Sequence, residues 1–318
     1  MKENMGEKIK LKGSYGDYVL RALTLLTSVA VIALILWIAW QMYLSSLPSI
    51  KKFGFAFLTS TEWDPVHLHF GALTFIYGTL VTSLIALAIA GPIGLGVGIF
   101  LNEMAPPLIR QVVSFIVEML ASIPSVVYGL WGIYVLAPIL RGSVEPWLAK
   151  WFGFLPVFTG DFLGIGVLAG GLILAVMILP TIAALTKEVL AAVPDTQREA
   201  ALALGATKWE MIRIAVLAYA KSGIMGGVML GLGRALGETM AVTMVIGNVP
   251  QIMASLFAPG YSMASVIANG FSEASDPMQQ SALVEVGLVL FAITLILNAM
   301  ARLLVWSVGR GPKGGQLV

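Results

Sequence analysis

Six long apolar runs constrain the fold of this chain more than any other feature of its sequence. Each run is about 20 residues or longer, which is the length that an α-helix needs to cross the hydrocarbon core of a bilayer. The runs lie near residues 20–44, 75–101, 117–140, 162–185, 222–247 and 282–308. Because 58% of all residues are hydrophobic and only 11% are charged, the sequence predicts an all-α integral membrane protein with six transmembrane helices. The first run is too long for a signal peptide, so we expect it to remain as an anchor.

Composition also excludes several kinds of site. The chain has no cysteine, so it has no disulfide, thiolate metal site or cysteine nucleophile. Its net charge of +2 is too small for a nucleic-acid-binding surface. The two histidines, His67 and His69, fall in a loop without a nearby third ligand, an arrangement that is more often incidental than metal-binding. The sequence therefore predicts neither a metal site nor a catalytic site.

The distribution of basic residues predicts the orientation in the membrane. With the N-terminus in the cytoplasm, fourteen of the nineteen Lys and Arg residues fall on the inner side and four in the outer loops. This split follows the positive-inside rule and predicts that both termini are cytoplasmic. The outer loops then lie near residues 45–74, 141–161 and 248–281. Within the last of these, residues 250–280 contain no basic residue and are expected to form a re-entrant or interfacial helix.

The stretch GLGRALGETMAV at 231–242 places two charged residues inside the fifth run. On a continuous helix, which turns by about 100° per residue, Arg234 and Glu238 share one face with Gly227 and Gly231. Ionisable residues at membrane depth usually mark a pathway, and a guanidinium suits an oxyanion such as phosphate, sulfate or carboxylate. Two interpretations remain open. The pair is either a polar gate, in which Glu238 neutralises Arg234 while the site is empty, or a structural salt bridge between helices.

Two further features of the apolar runs concern packing and bending. Small residues spaced by four allow a close approach of another helix, which predicts a packing strip at Gly223, Gly227 and Gly231. Pro124, in ASIPSVVYG, interrupts the third run and is flanked by hydroxyl groups that can satisfy freed backbone groups. The proline indicates either a functional bend or a packing kink, and the sequence does not distinguish these.

The loop between the fourth and fifth runs carries helix signals of its own. Two TxxE patterns, which begin at Thr196 and Thr207, are typical of capping boxes at helix starts. Gly205 lies between them and suits the left-handed position that ends a helix. We therefore expect two short helices joined by a tight turn. Residues 200–204 would present a small apolar surface, which requires either this chain's own helix ends or the groove of another subunit.

The same loop resembles a known element. The pattern EAAxxxG, formed here by Glu199, Ala200, Ala201 and Gly205, resembles the EAA loop through which ABC importer permeases dock on their ATPase subunit. The family pattern continues to IxLP, whereas this chain has AVLA at 215–218, so the proline that would bend the returning helix is absent. Residues 70–308 as a whole resemble phosphate-specific transport permeases of the PstC type, through EAALALGATKWEMIRIAVL, GGVMLGLGRALGETMAVTMVIGN and ASIPSVVYGLWG.

This resemblance implies a domain organisation and a set of partners. Residues 1–69 would form an N-terminal tail, the first transmembrane helix and an outer loop; residues 70–308 the permease domain, with a coupling loop at about 187–221; and residues 309–318 a tail. The chain would be a multi-pass protein of the bacterial inner membrane and half of a phosphate pathway. Its partners would be a PstA-like permease subunit, a PstB-like ATPase dimer and a PstS-like phosphate-binding protein.

The resemblance also implies residue roles. The GRAxGET segment of the family carries an Arg and a Glu tied to phosphate passage, and these match Arg234 and Glu238. The chain has no GxxxxGK[ST] loop, so ATP and magnesium are expected in the separate ATPase and no cofactor is expected here. Two alternatives stay open at this point. The cargo could be another oxyanion, such as sulfate or molybdate, or the chain could be a self-sufficient secondary transporter or channel, although no inverted repeat is visible.

Overall fold

The computed structural model describes residues 15–309 of the chain. The predicted tails at 1–14 and 310–318 therefore lie outside the described residues. The first half contains seven helices: α1 (Tyr15–Phe53), α2 (Ala56–Thr59), α3 (Leu73–Ile99), α4 (Pro107–Ser122), α5 (Ser125–Trp131), α6 (Ala137–Ile139) and α7 (Glu145–Phe152). The second half contains seven more: α8 (Val167–Ala191), α9 (Asp195–Ala203), α10 (Lys208–Met211), α11 (Leu217–Gly237), α12 (Met240–Val245), α13 (Met263–Glu273) and α14 (Pro277–Gly309).

Short irregular elements connect some of these helices. Two strands of two residues, β1 (Trp63–Asp64) and β2 (His69–Phe70), pair in antiparallel orientation after α2. A 3₁₀-helix covers Pro156–Phe158. Four π-helical segments continue neighbouring helices, at Phe100–Met104, Gly132–Leu136, Leu140–Val144 and Ile212–Val216. The described residues contain six helical stretches that are long and apolar enough to cross a membrane, which confirms the predicted fold class.

The third predicted span, at 117–140, is wrong in its position. The structure has α4 up to Ser122, then a break, and then a span over Ser125–Phe152. Ile123, the residue before Pro124, is extended with φ −66° and ψ 130°, because a following proline disfavours helical geometry. The break therefore comes from Pro124. The apolar run of the sequence continues across this break, but the helix does not.

The centre of the bundle is the pair α3 and α8, and α8 is the most deeply buried span. Small residues face the contact: a Cβ atom at Gly94 of α3 would lie 2.9 Å from the side chain of Ile182. The predicted glycine strip of α11 also packs against α8. Cβ atoms at Gly223, Gly227 and Gly231 would lie 2.5 Å from Val189, 3.1 Å from Leu185 and 2.9 Å from Ile182. These three glycines let the backbones of α8 and α11 approach closely.

The three predicted outer loops gather at one end of the bundle. The end of α1, the β-hairpin and the starts of α3, α13 and α14 share one apolar core, which includes Phe57, Phe75, Met263 and Val286. The backbone N–H of Leu256 donates to Val157 O at 2.9 Å, which joins the second and third loops. The third loop contains a helix, α13, as expected. The side of the membrane on which this end lies stays a prediction.

Candidate functional site

Arg234 lies near the end of α11 and is partly buried. Its Nη1 donates a hydrogen bond to Thr181 Oγ1 at 3.1 Å. Thr181 stands near the midpoint of α8, so the guanidinium lies near the middle of the membrane span. Tyr128 on α5 interacts electrostatically with the guanidinium. Sequence reasoning identified Arg234 but missed both hydroxyl groups, which lie far from it in the sequence.

Glu238 does not continue the helix that carries Arg234. Helix α11 ends at Gly237, and Glu238 is extended with φ −70° and ψ 124°. Its Oε1 accepts a hydrogen bond from the backbone N–H of Ala241 at 3.3 Å, at the start of α12. Among the described residues, Arg234 forms no ion pair. The predicted placement of the two charges on one continuous helix face is therefore wrong, because the carboxylate satisfies exposed N–H groups at a new helix start.

A second helix break lies beside the first. The break at Pro124 frees the carbonyl of Leu120, and the Tyr128 hydroxyl donates to it at 2.8 Å. After this break, α5 packs directly on α12, where a Cβ atom at Gly129 would collide with Met244. Non-helical backbone at membrane depth is tolerated where it is buried in protein or lines a polar cavity. Two such breaks close to one partly buried guanidinium mark this region as a candidate pathway.

The loop at the other end of the bundle forms the two predicted short helices, α9 and α10. Gly205 has φ +85°, and the N–H groups of Gly205 and Ala206 donate to the carbonyls of Leu202 and Ala201, which ends α9 as a Schellman motif. The capping box at Thr207 is confirmed, since its hydroxyl accepts from the Glu210 N–H at 3.3 Å and Glu210 Oε2 accepts from the Thr207 N–H at 2.8 Å.

The capping box predicted at Thr196 is wrong. Helix α9 begins one residue earlier, at Asp195 after Pro194, and has no side-chain cap. Thr196 therefore lies inside the first turn, where its hydroxyl is not at the capping position. Glu199 and Ala200 are exposed, while Ala201 is buried against the bundle.

An apolar groove opens between α9 and the start of the returning helix. Its exposed large apolar side chains are Leu204, Trp209 and Ile214, at 90%, 63% and 61% exposure. A cavity of about 530 Å³ lies between them and is also lined by Gly205 and, at its polar edge, by Glu210 and Arg213. A contiguous apolar surface of this kind is typical of a site that another protein covers.

Arg198 ties α9 to the bundle and was missed by sequence reasoning. Its Nη2 and Nε donate to the two carboxylate oxygens of Glu103, at 2.9 and 3.4 Å, in the π-helical end of α3. The guanidinium also donates to the carbonyls of Leu190 and Val193 at 2.9 and 2.6 Å, and to Asp195 at 3.1 Å. The hydrogen bonds to Glu103 raise the pKa of Arg198 further. Nothing local signals this contact, because Glu103 is 95 residues away in the sequence.

The histidines form no metal site with neighbouring residues. Among the described residues, no group of three or more His, Asp and Glu side chains could hold a metal ion. His67 Nδ1 lies 2.6 Å from Asp64 Oδ2, and this hydrogen bond lowers the pKa of the exposed Asp64 carboxyl. The pair organises the hairpin loop between β1 and β2.

Residues 94–310 match the family described as binding-protein-dependent transport system inner membrane component. This match covers more than half of the chain and includes Arg234, Glu238 and the whole α9–α10 loop. The chain belongs to this family. It is therefore a multi-pass inner membrane protein and a component of a transport system rather than an enzyme.

Curated relatives named phosphate transport system permease protein PstC are similar over most of their length. The relative from Pasteurella multocida is 45% identical over 84% of this chain and 84% of its own length. The relative from Mesorhizobium japonicum is 46% identical over 82% and 81%, and that from Xylella fastidiosa is 42% identical over 94% of both. These similarities confirm the resemblance that the EAAxxxG and GRAxGET segments indicated.

The fold is also that of a solved ABC importer. An inward-facing structure of the MetNI methionine ABC transporter superposes with a TM-score of 0.58 and 21% identity, covering 74% of this chain and 95% of that chain. Membership of this class implies three kinds of partner, namely an ATPase, a permease subunit and a binding protein.

Proposed function

We propose that this chain is a permease subunit of an ATP-driven importer of inorganic phosphate and forms half of the transmembrane pathway. The names of its curated relatives support this substrate. Its partners would be a PstA-like permease, a PstB-like ATPase dimer and a PstS-like phosphate-binding protein. ATP and magnesium would bind to the ATPase, and this chain would hold no cofactor.

One observation carries the proposal at the level of chemistry, namely the half-buried guanidinium of Arg234. A guanidinium offers five N–H donors in a fixed fork, and the hydrogen bond to Thr181 uses only Nη1. The remaining donors suit the tetrahedral oxygens of phosphate. The Thr181 hydroxyl contacts the guanidinium, and Tyr128 on α5 interacts electrostatically with it. An oxyanion that passes here would exchange part of its hydration shell for these groups.

The site suits passage rather than tight binding. Moving a charged oxyanion out of water costs far more free energy than one cation recovers, unless many hydrogen bonds replace the lost water. One guanidinium and two hydroxyl groups are too few for a closed, high-affinity site. Arg234 therefore lowers the barrier for transit, and affinity belongs to the phosphate-binding protein.

Glu238 has a positioning role in this proposal. In this conformation its carboxylate holds the start of α12 and does not neutralise Arg234. An entering anion thus need not displace a carboxylate from the guanidinium. Glu238 instead keeps the break after Gly237 in place, so that α12 packs on α5 and Arg234 faces the region between the two breaks.

Coupling to ATP hydrolysis would occur at the α9–α10 loop. The exposed Glu199 and the apolar groove around Leu204 and Trp209 form the surface that the ATPase covers. Arg198 then connects that surface to two spans, through Glu103 at the end of α3 and the carbonyls at the end of α8. Closure of the ATPase pair would tilt these spans as rigid bodies, and Thr181 on α8 would move relative to Arg234.

A transport assay tests the substrate. The full complex is reconstituted in vesicles with ATP inside the compartment that the ATPase faces, and uptake of labelled phosphate is measured with excess sulfate, molybdate or unlabelled phosphate outside. We expect only unlabelled phosphate to reduce the signal, and we expect no uptake without ATP. Equal competition by sulfate would show that the substrate range includes other oxyanions. Phosphate uptake by vesicles that contain this chain alone would show that it is a self-sufficient transporter.

A further inference from the structure

A buried carboxyl group far from Arg234 lacks a complete set of hydrogen bonds. Glu285 lies on α14, about two turns from its start, and is only 6% exposed. The hydroxyl of Ser49 on α1 lies beside the carboxyl, but Oε2 has no hydrogen-bond partner among the described residues. The Ser49 hydroxyl oxygen also has no hydrogen-bond partner among the described residues. Two buried polar groups thus meet here without the hydrogen bonds that would satisfy both, and a donor from outside the chain would lower this cost.

A cavity of about 220 Å³ opens beside this carboxyl, between the end of α1 and α14. Glu285 is its only acidic lining residue. The remaining lining residues are apolar or glycine: Ile50, Gly54, Phe55, Leu58, Leu288 and Val289. The cavity thus combines one carboxyl group, which can accept hydrogen bonds, with walls that suit methylene groups. Calcium, by contrast, requires six or more oxygen ligands, and this cavity does not supply them.

The cavity lies at headgroup level. Lys51 and Lys52 occupy the last turn of α1, and cationic side chains at the ends of membrane helices place their charge at the interface. Ser49 lies two residues before Lys51 and three before Lys52, and this spacing corresponds to about 3 to 5 Å along the helix axis. The carboxyl that contacts Ser49 is therefore just below the interface, at the end of the bundle opposite α9.

We propose that this cavity binds the primary ammonium group of an ethanolamine phospholipid. The ammonium donates hydrogen bonds to the carboxyl group of Glu285, the one ionisable group that lines the cavity. Its ethylene group contacts the apolar walls, and the lipid phosphate lies within reach of the exposed Lys51. A choline phospholipid carries the same charge but no N–H donor, so it leaves Oε2 without a partner. This proposal does not depend on which solute the protein transports.

Native mass spectrometry of the full complex tests this site. The complex is exchanged into equal amounts of phosphatidylethanolamine and phosphatidylcholine with identical oleoyl chains, and detergent is then used to remove all but the most strongly retained lipid. A hydrogen bond to a charged group predicts about a tenfold excess of the ethanolamine lipid in the wild-type complex. Glu285→Gln should bring the ratio close to one. Glu273→Gln, which changes an exposed acid at the same end of the bundle, should leave it unchanged.

A second variant separates the cavity from the carboxyl. Leu58→Trp fills the cavity and retains Glu285, so it should reduce retention of the ethanolamine lipid even if Glu285→Gln assembles poorly. Equal retention of the two lipids by the wild type, or an unchanged ratio in Leu58→Trp, overturns the proposal. Sodium-dependent thermal protection that Glu285→Gln abolishes, without any lipid preference, would show that an inorganic cation occupies the site and that the lipid assignment is wrong.

Discussion

At the scale of single residues, the site depends on how Arg234 and Glu238 divide their hydrogen bonds. Arg234 contacts Thr181 on the neighbouring span α8. Glu238 instead accepts a hydrogen bond from the Ala241 N–H at the start of α12, the helix that follows the break after Gly237. The two residues were predictable from sequence because charge inside an apolar run is rare. Their separation was not, since it depends on a local break after Gly237 that the apolar pattern of 222–247 conceals.

Glu238→Gln should support phosphate uptake within about twofold of wild type, because the amide oxygen still accepts from the Ala241 N–H. Glu238→Leu should lose the cap and about 1 kcal/mol of stability, with a lower uptake rate. Uptake in vesicles and thermal unfolding measure the two effects. A gate that needs the charge of Glu238 predicts instead that the glutamine and leucine variants fail equally.

At the scale of helices, the packing of α11 on α8 relies on the absence of side chains at one strip. A Cβ atom added at Gly231 would lie 2.9 Å from the side chain of Ile182. A Cβ atom added at Gly233, two residues later, would meet open space. The strip was predictable from the spacing of four. Which helix it faces was not, because α3, α8 and α14 offer equally apolar surfaces to a reader of the sequence.

Gly231→Ala should destabilise the protein by about 1 to 3 kcal/mol through overpacking against Ile182. Gly233→Ala is the matched control and should be neutral or slightly stabilising, since alanine favours the helix over glycine. Thermal unfolding of the two variants in the same detergent compares them directly. Equal melting temperatures would mean that α11 and α8 are not held at the distance seen here.

The loop helices were predicted from caps and a glycine, and one of the two caps was wrong. Pro194 occupies the N-cap position of α9, so Thr196 of the TxxE pattern lies inside the first turn and not at the cap. The contact between Arg198 and Glu103 could not be predicted, because it joins elements 95 residues apart. Sequence patterns thus located the two short helices of this loop but not their connection to the spans.

Arg198→Ala should uncouple the complex, because it removes the contacts that join α9 to α3 and α8 and leaves the nearly buried Glu103 without its cation. We expect phosphate imported per ATP hydrolysed to fall several-fold while ATP hydrolysis continues. Lys208→Ala, an exposed change in the same loop, is the control. An Arg198→Ala complex with an unchanged transport ratio would show that the contact is only structural.

At the scale of the whole molecule, the two ends of the bundle differ and the site lies between them. One end packs the three loops around Phe57 and Phe75, and the other presents the apolar groove at Leu204. The number of spans was predictable, because hydrophobic length follows directly from the membrane as a solvent, whereas the side of the membrane on which each loop lies stays a prediction. The break at Pro124 was indicated by the proline itself, whereas the break after Gly237 needed coordinates because no proline marks it.

The central claim is that the guanidinium of Arg234 carries phosphate past the middle of the membrane. The most direct test is ATP-dependent uptake of labelled phosphate by vesicles that contain the assembled complex with Arg234→Ala, with the exposed Arg302→Ala as the control. The account predicts that both complexes assemble and hydrolyse ATP, that Arg302→Ala imports phosphate normally, and that Arg234→Ala does not import it. An assembled Arg234→Ala complex that imports phosphate at the wild-type rate would contradict the account.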